Sequence, residues 1–230
     1  MTAMVMGIPR GRWALFLATA GMAVLLAALV RGGGEGPLHR FDEGVLLALR
    51  SPLDRADPIG PLWVEIMFRD LTALGSHAVV LLIGLAAVAY LALLRERTAI
   101  LLLGVSLLGG IALGAGLKLV FARPRPELVA HLADTYTASF PSGHAMLSAI
   151  AYLTLAGLLA RVQPRASLRR YVLAVGIALT VLVGASRIYL GVHWPSDVVA
   201  GWCFGAAWAL FCRGVVDRLD GARHRRPTHG

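Results

Sequence analysis

The stretch SFPSGHAML, Ser139 to Leu147, places proline, serine, glycine and histidine in succession at the head of an apolar run. That order predicts a helix start: Ser142 offers a side-chain cap, Gly143 leaves the next amide unobstructed, and His144 brings a titratable ring one residue further. Such a start can hold an anion, because the first N–H groups of a helix lack internal acceptors and its dipole favours negative charge. A second cluster lies in GASRIYLGVHWPSDVVAGW, which contains Arg187. There Pro195 suits a first helical position, Asp197 falls in the first turn, and His193 immediately precedes that turn. Across four residues Asp197 can accept a hydrogen bond from one ring nitrogen of His193 and leave the other free. The third cluster is Lys118 and the FARPRPEL that follows, where two X-Pro steps force the chain out of helix. Lys118 therefore stands about one turn from a helix end, with Arg125 beyond it in an extended segment. Taken singly, each cluster also has a plain structural use. Terminal lysines and arginines anchor spans, an Asp caps a helix, and a His sits in an interface.

Composition decides the solvent that surrounds these residues. Of 230 residues, 57% are hydrophobic and 15% charged, too apolar for a soluble domain of this length. Uncharged stretches recur at Trp13 to Val30, Ala78 to Leu94, Ala99 to Leu117, Ser142 to Ala160, Tyr171 to Ala185 and Val198 to Cys212. A crossing takes about 20 residues, so the last two must be lengthened by their polar flanks. The expected architecture is an all-α polytopic membrane protein, a bundle of six transmembrane helices in a single domain, 1–230. The first span is longer than a signal-peptide core and lacks a clean cleavage site, so it reads as an uncleaved helix. With six spans both termini share one side, which carries 13 of the 22 basic and 3 of the 13 acidic residues. The positive-inside rule makes that side cytoplasmic, including the basic tail from about 213 to 230. The net charge of +9 is then explained by topology and anionic lipid, with no nucleic acid partner. The clusters bearing Lys118, His144 and His193 all fall on the opposite, outer side.

Between the first and second spans, residues 31–76 open with the flexible GGGEGP and continue with apolar residues at helical spacing. After Pro61, the residues Leu62, Trp63, Ile66, Met67 and Leu71 share a face. An interfacial helix or a helix packed on the bundle would both fit. Cys203 and Cys212, nine residues apart on the last span, are too far separated for a disulfide and read as packing residues.

Lys118-x6-Arg125-Pro126, Pro141-Ser142-Gly143-His144 and Ser186-Arg187-x5-His193-x3-Asp197 together reproduce a three-part signature. In this the chain resembles the type 2 phosphatidic acid phosphatase family, with every motif position matched between Lys118 and Asp197 and the six-span frame in agreement. Before Ala99 no motif has an assignable role. The resemblance implies that His193 attacks phosphorus to form a phosphohistidine, that Asp197 orients its ring, and that His144 protonates the leaving oxygen and later activates water. The residue chemistry agrees. Lys118, Arg125 and Arg187 can neutralise the phosphoryl oxygens, and the Gly143 amide and Ser142 hydroxyl can add donors. Three fixed cations take the place of a metal, so no cofactor and no metal site is expected. His39, His77, His131, His224 and His229 fit no motif and read as solvated or interfacial.

The implied substrate is a lipid phosphate whose head group meets the outer helix ends while its tail stays in the bilayer. Outer-face recycling favours a polyprenyl (undecaprenyl) diphosphate. Phosphatidylglycerophosphate, phosphatidic acid and lipid A phosphates remain alternatives, as does transfer of the phosphoryl group to another lipid. The vanadium haloperoxidases resemble the same motifs but are soluble. A lipid or proton transporter would need charges at the midplane, which this sequence keeps apolar.

Overall fold

The computed structural model describes residues 10–31 and 36–223, with side chains for 13–31 and 36–218. The glycine run after Arg31 and the end of the basic tail, residues 224–230 with His224 and His229, lie outside the described residues. Eight helices occur among them: α1 Arg10–Arg31, α2 Pro37–Ala48, α3 Leu62–Ala73, α4 His77–Leu93, α5 Arg97–Phe121, α6 Gly143–Val162, α7 Ala166–Tyr189 and α8 Pro195–Arg223. Local chemistry sets several of their ends. Pro37 and Pro195 occupy first helical positions, where a missing N–H costs nothing. The Ser76 hydroxyl accepts from the Val79 amide at 3.3 Å and caps α4. α5 stops at Ala122, which takes the left-handed conformation with φ of 43°, just before the two prolines that cannot continue a helix.

Five helices, α1 and α5 to α8, are each long and apolar enough to cross a membrane. α4, at 17 residues, passes the same test only together with α3, to which it is joined at a bend of 51°, and this pair brings the number to six. The chain is a multi-pass membrane protein. α7 and α8 exceed the apolar runs 171–185 and 198–212 because the helices continue through their charged ends, which keeps the backbone hydrogen-bonded until water is reached. The segment 31–76 holds two helices, α2 and α3. α3 packs on α7 through Val64 and Phe68, whose ring stacks on Tyr189 at 4.2 Å. The face formed by Leu62, Trp63, Ile66 and Met67 points outward instead of into the bundle.

α6 is the hub, with every residue from Ala145 to Tyr152 buried and neighbours in α4, α5, α7 and α8. Its contact with α8 depends on GWCFG, Gly201 to Gly205, a spacing that lets two helix backbones approach closely. A Cβ on Gly201 would lie 2.7 Å from the Ser142 carbonyl oxygen, and one on Gly205 2.5 Å from that of Met146. This approach sets the start of α8 beside the start of α6. Gly201→Val is therefore expected to lower unfolding stability in detergent by about 1–3 kcal/mol through overpacking. Gly116→Ala, where nothing lies within 4 Å, is expected to be neutral or slightly stabilising in the same thermal melts. Cys203 and Cys212 are both free thiols, and Cys212 is buried in a small cluster with Leu102 and Val216.

Candidate active site

The end of α5, the start of α6, the end of α7 and the turn before α8 meet around a cavity of about 590 Å³. Lys118, Arg125, Gly143, His144, Arg187 and His193 line it. Asp197 lies behind His193 and is fully buried, as is Ser142. The three sequence clusters, separated by as many as 79 positions, thus form one place. Helix geometry explains this, since each cluster sits at a helix end on the same side of the bundle.

His193 is the centre of a chain of polar contacts. Its Nδ1 lies 3.5 Å from Asp197 Oδ2, and the Ser139 hydroxyl stands between them, 3.4 Å from Nδ1 and donating to Oδ2 at 2.5 Å. Asp197 also accepts from the Trp194 amide at 3.0 Å, which ties the carboxylate to the turn that carries the histidine. With Nδ1 facing these acceptors, the network assigns the proton to Nδ1. The Nε2 lone pair is then directed to the cavity, where Arg125 Nη1 lies 3.2 Å away. Burial, and after it the charges of Arg125, Arg187 and Lys118, hold the His193 ring well below the usual histidine range. A neutral, oriented imidazole beside fixed cations is equipped for nucleophilic attack on an anion.

The cations are themselves held in place. Lys118 Nζ donates to Thr137 Oγ1 at 2.9 Å and to the Ala138 carbonyl at 2.7 Å. Arg125 donates from Nε to the Thr137 carbonyl at 2.9 Å and from Nη1 to the Val192 carbonyl at 2.5 Å. Burial pulls the Arg125 guanidinium below its usual range, and Asp197 partly offsets this. Arg187 is 4% exposed, donates to Thr72 Oγ1 at 2.8 Å, and leaves its buried Nε without a partner. Three partly desolvated cations around one space create a positive field that favours an anion.

The Ser142 side chain departs from the expected cap. It makes no capping hydrogen bond, and its buried hydroxyl has no partner. The Ser142 amide instead donates to the Asp197 carbonyl at 3.0 Å, so this residue fastens α6 to α8. Gly143 lines the cavity beside Lys118, and a Cβ there would sit 3.6 Å from Lys118 Cε, an ordinary van der Waals distance.

Several site residues escaped the sequence reading. Arg123 donates to Asp197 Oδ1 at 2.5 Å, to Asp42 Oδ2 at 2.9 Å and to the Ser196 hydroxyl at 2.8 Å. Asp42, fully buried, also accepts from the Ser196 amide at 2.8 Å and its hydroxyl at 2.5 Å. Arg50, two residues beyond α2, donates to the Tyr189 carbonyl at 2.9 Å. The segment before Ala99, which carried no motif, therefore grips the 189–197 turn at both ends. His77, read as solvated, is exposed but also borders the cavity. His131, also exposed, lies 2.6 Å from the Pro126 carbonyl, and His39 lies 3.4 Å from Glu43. Among the described residues no three His, Cys, Asp or Glu side chains gather as a metal-ligand cluster.

Comparison with known proteins places this geometry. The chain is 35% identical over 124 residues to an undecaprenyl-diphosphatase from Sulfolobus acidocaldarius, an alignment covering 51% of this chain. The match spans about half the length, 54%, of that relative. It is 32% identical over 189 residues to a decaprenylphosphoryl-5-phosphoribose phosphatase from Mycobacterium tuberculosis, covering 81% of this chain and 94% of the relative. The crystal structure of a transmembrane PAP2-type phosphatidylglycerolphosphate phosphatase from Bacillus subtilis superposes with a TM-score of 0.75 at 25% identity, covering 95% of this chain and 98% of that one. A family profile for the PAP2 superfamily matches residues 99–220, which contain all three clusters. This chain belongs to the PAP2 superfamily.

Proposed function

We propose that the chain is a lipid phosphatase that hydrolyses a phosphate monoester or diphosphate of a lipid at the outer membrane face through a phosphohistidine, with a polyprenyl diphosphate as its substrate. The observation that carries this reading is the convergence of Lys118, Arg125 and Arg187 with His193 and His144 in one cavity. The rest of the wall supports an amphiphile. Gly110, Ile111, Gly114 and Leu119 of α5 and Met146 and Leu147 of α6 give the same cavity an apolar wall. Two relatives with polyprenyl lipids in their names favour that chain type.

In this mechanism the three cations and the Gly143 amide hold the phosphoryl oxygens, with the Ser142 hydroxyl as a further donor. His193 Nε2 attacks phosphorus in line with the leaving oxygen, and Asp197 stabilises the charged ring through Nδ1. His144 donates a proton to the leaving oxygen and takes one from the water that releases phosphate. Purified protein in detergent with excess EDTA is expected to release phosphate from polyprenyl diphosphate. Failure to release it from any lipid in a panel that also includes phosphatidate, phosphatidylglycerophosphate and lipid A would overturn the reading.

The positive-inside count supports a reading with both termini in the cytoplasm and the cavity on the outer face. Tyr136→Cys, at an exposed loop position bordering the cavity, is expected to react with an impermeant thiol reagent from outside intact cells. Arg165→Cys, in the exposed turn between α6 and α7, is expected to stay unlabelled until the membrane is opened. The reverse pattern would put head-group processing in the cytoplasm.

A further inference from the structure

We propose that His77 forms a second phosphate subsite beside the first, which binds the lipid-linked phosphate of a diphosphate substrate and makes the site selective for diphosphates over monophosphates. This deepens the phosphatase reading and rests on it. His77 opens α4 and borders the cavity. Among the described residues no hydrogen bond or ion pair engages its ring, so both nitrogens are available.

The bend between α3 and α4 sets its place. Thr72 accepts from Arg187 at 2.8 Å, and Tyr152 of α6 donates its hydroxyl to the Leu74 carbonyl at 2.7 Å. Gly75 is packed against both α7 and α6: a Cβ there would overlap Val183 Cγ1 and lie 3.1 Å from the His144 carbonyl oxygen and 3.2 Å from His144 Cβ. The segment that ends in His77 is therefore seated against His144 and Arg187.

Direction of attack gives this position its meaning. In-line displacement puts the leaving group opposite His193, on the side of the general acid His144. For a diphosphate, that leaving group is itself a phosphate. His193 forms an N–P bond to the terminal phosphorus while the bond from that phosphorus to the bridging oxygen breaks. The electron pair stays on the bridging oxygen, which becomes a terminal oxygen of the lipid monophosphate and takes the His144 proton. Water then cleaves the N–P bond, yielding inorganic phosphate and returning a proton to His144. The leaving phosphate carries negative charge throughout, and a histidine N–H next to His144 is placed to meet it. Asp134, an acidic residue that also lines the cavity, belongs to the loop whose Thr137 engages Lys118 and Arg125.

The test compares kcat/KM for a polyprenyl diphosphate and the monophosphate of the same chain, in the full-length protein. His77→Ala is expected to lower the diphosphate value roughly 10- to 100-fold, as for loss of a charged hydrogen bond, with the monophosphate value changed less than about threefold. His77→Glu suits the first turn of a helix and so keeps the fold, yet is expected to lower the diphosphate value further by repulsion. Competition by inorganic diphosphate and inorganic phosphate reports the same selectivity without a lipid chain. Equal losses on both substrates and both competitors, or no loss on either, would overturn the subsite, as would wild-type activity on the monophosphate alone. Wild-type protein that acts on neither lipid would instead overturn the phosphatase reading itself.

Discussion

His193→Ala is expected to lose at least about 10⁴-fold in kcat while remaining folded, because removal of a nucleophile leaves only binding and electrostatic stabilisation. The variant removes one buried ring and leaves the Asp197 contacts to Arg123, Ser139 and Trp194 in place. Phosphate release under saturating substrate checks the rate, and a thermal melt in detergent checks the fold. A folded variant retaining a tenth or more of the activity would remove His193 from the chemistry. The wild-type pH profile belongs to the same prediction. A ring held below the ordinary histidine range stays neutral, and able to attack, at a pH where an exposed histidine is protonated. The acidic limb of kcat/KM is accordingly expected below the unperturbed value of about 6.5.

Arg123→Ala is expected to destabilise the protein by about 3–5 kcal/mol, because breaking a buried ion pair leaves uncompensated charge. Here one guanidinium serves two carboxylates, Asp42 at 2.9 Å and Asp197 at 2.5 Å, both fully buried. Lysine is expected to restore only part of the loss, since a single ammonium cannot reproduce the planar fork that reaches both acids. Adding Asp42→Asn to Arg123→Ala is expected to recover stability by removing one of the stranded charges. Denaturant or thermal unfolding in detergent measures each step. If Arg123→Ala stays within about 1 kcal/mol of wild type, the range of an exposed pair, the triad is incidental.

The legible part of the site was the part carried by short-range spacing. His193 and Asp197 sit four apart at one helix start, and Ser142 to His144 fall at another, so sequence order alone marked them as candidates. Apolar runs likewise located the spans, although polar flanks hid the true lengths of α7 and α8. The illegible part depends on contacts between distant elements. Asp42 reaches Ser196 across 154 positions and Thr72 reaches Arg187 across 115, and a lone Asp or Thr in a polar segment carries no mark of its partner. Two residues did leave a signal. Ser139 stands two residues before the Pro141 motif, and Arg123 shares its proline-bounded run with Arg125. The expected Ser142 cap failed for a different reason. The turn into α6 is fastened by the Ser142 backbone to Asp197, which leaves the hydroxyl no capping task.

The most direct measurement of the central claim is acid-labile trapping of the intermediate. Wild-type protein is mixed with a lipid diphosphate labelled on the terminal phosphorus, quenched within the first turnover and digested. The account predicts label on the peptide containing His193, stable in base, lost in acid and absent from His193→Ala. Label on another residue, or burst-free turnover with no protein-bound phosphate under conditions that trap fast intermediates, would contradict it.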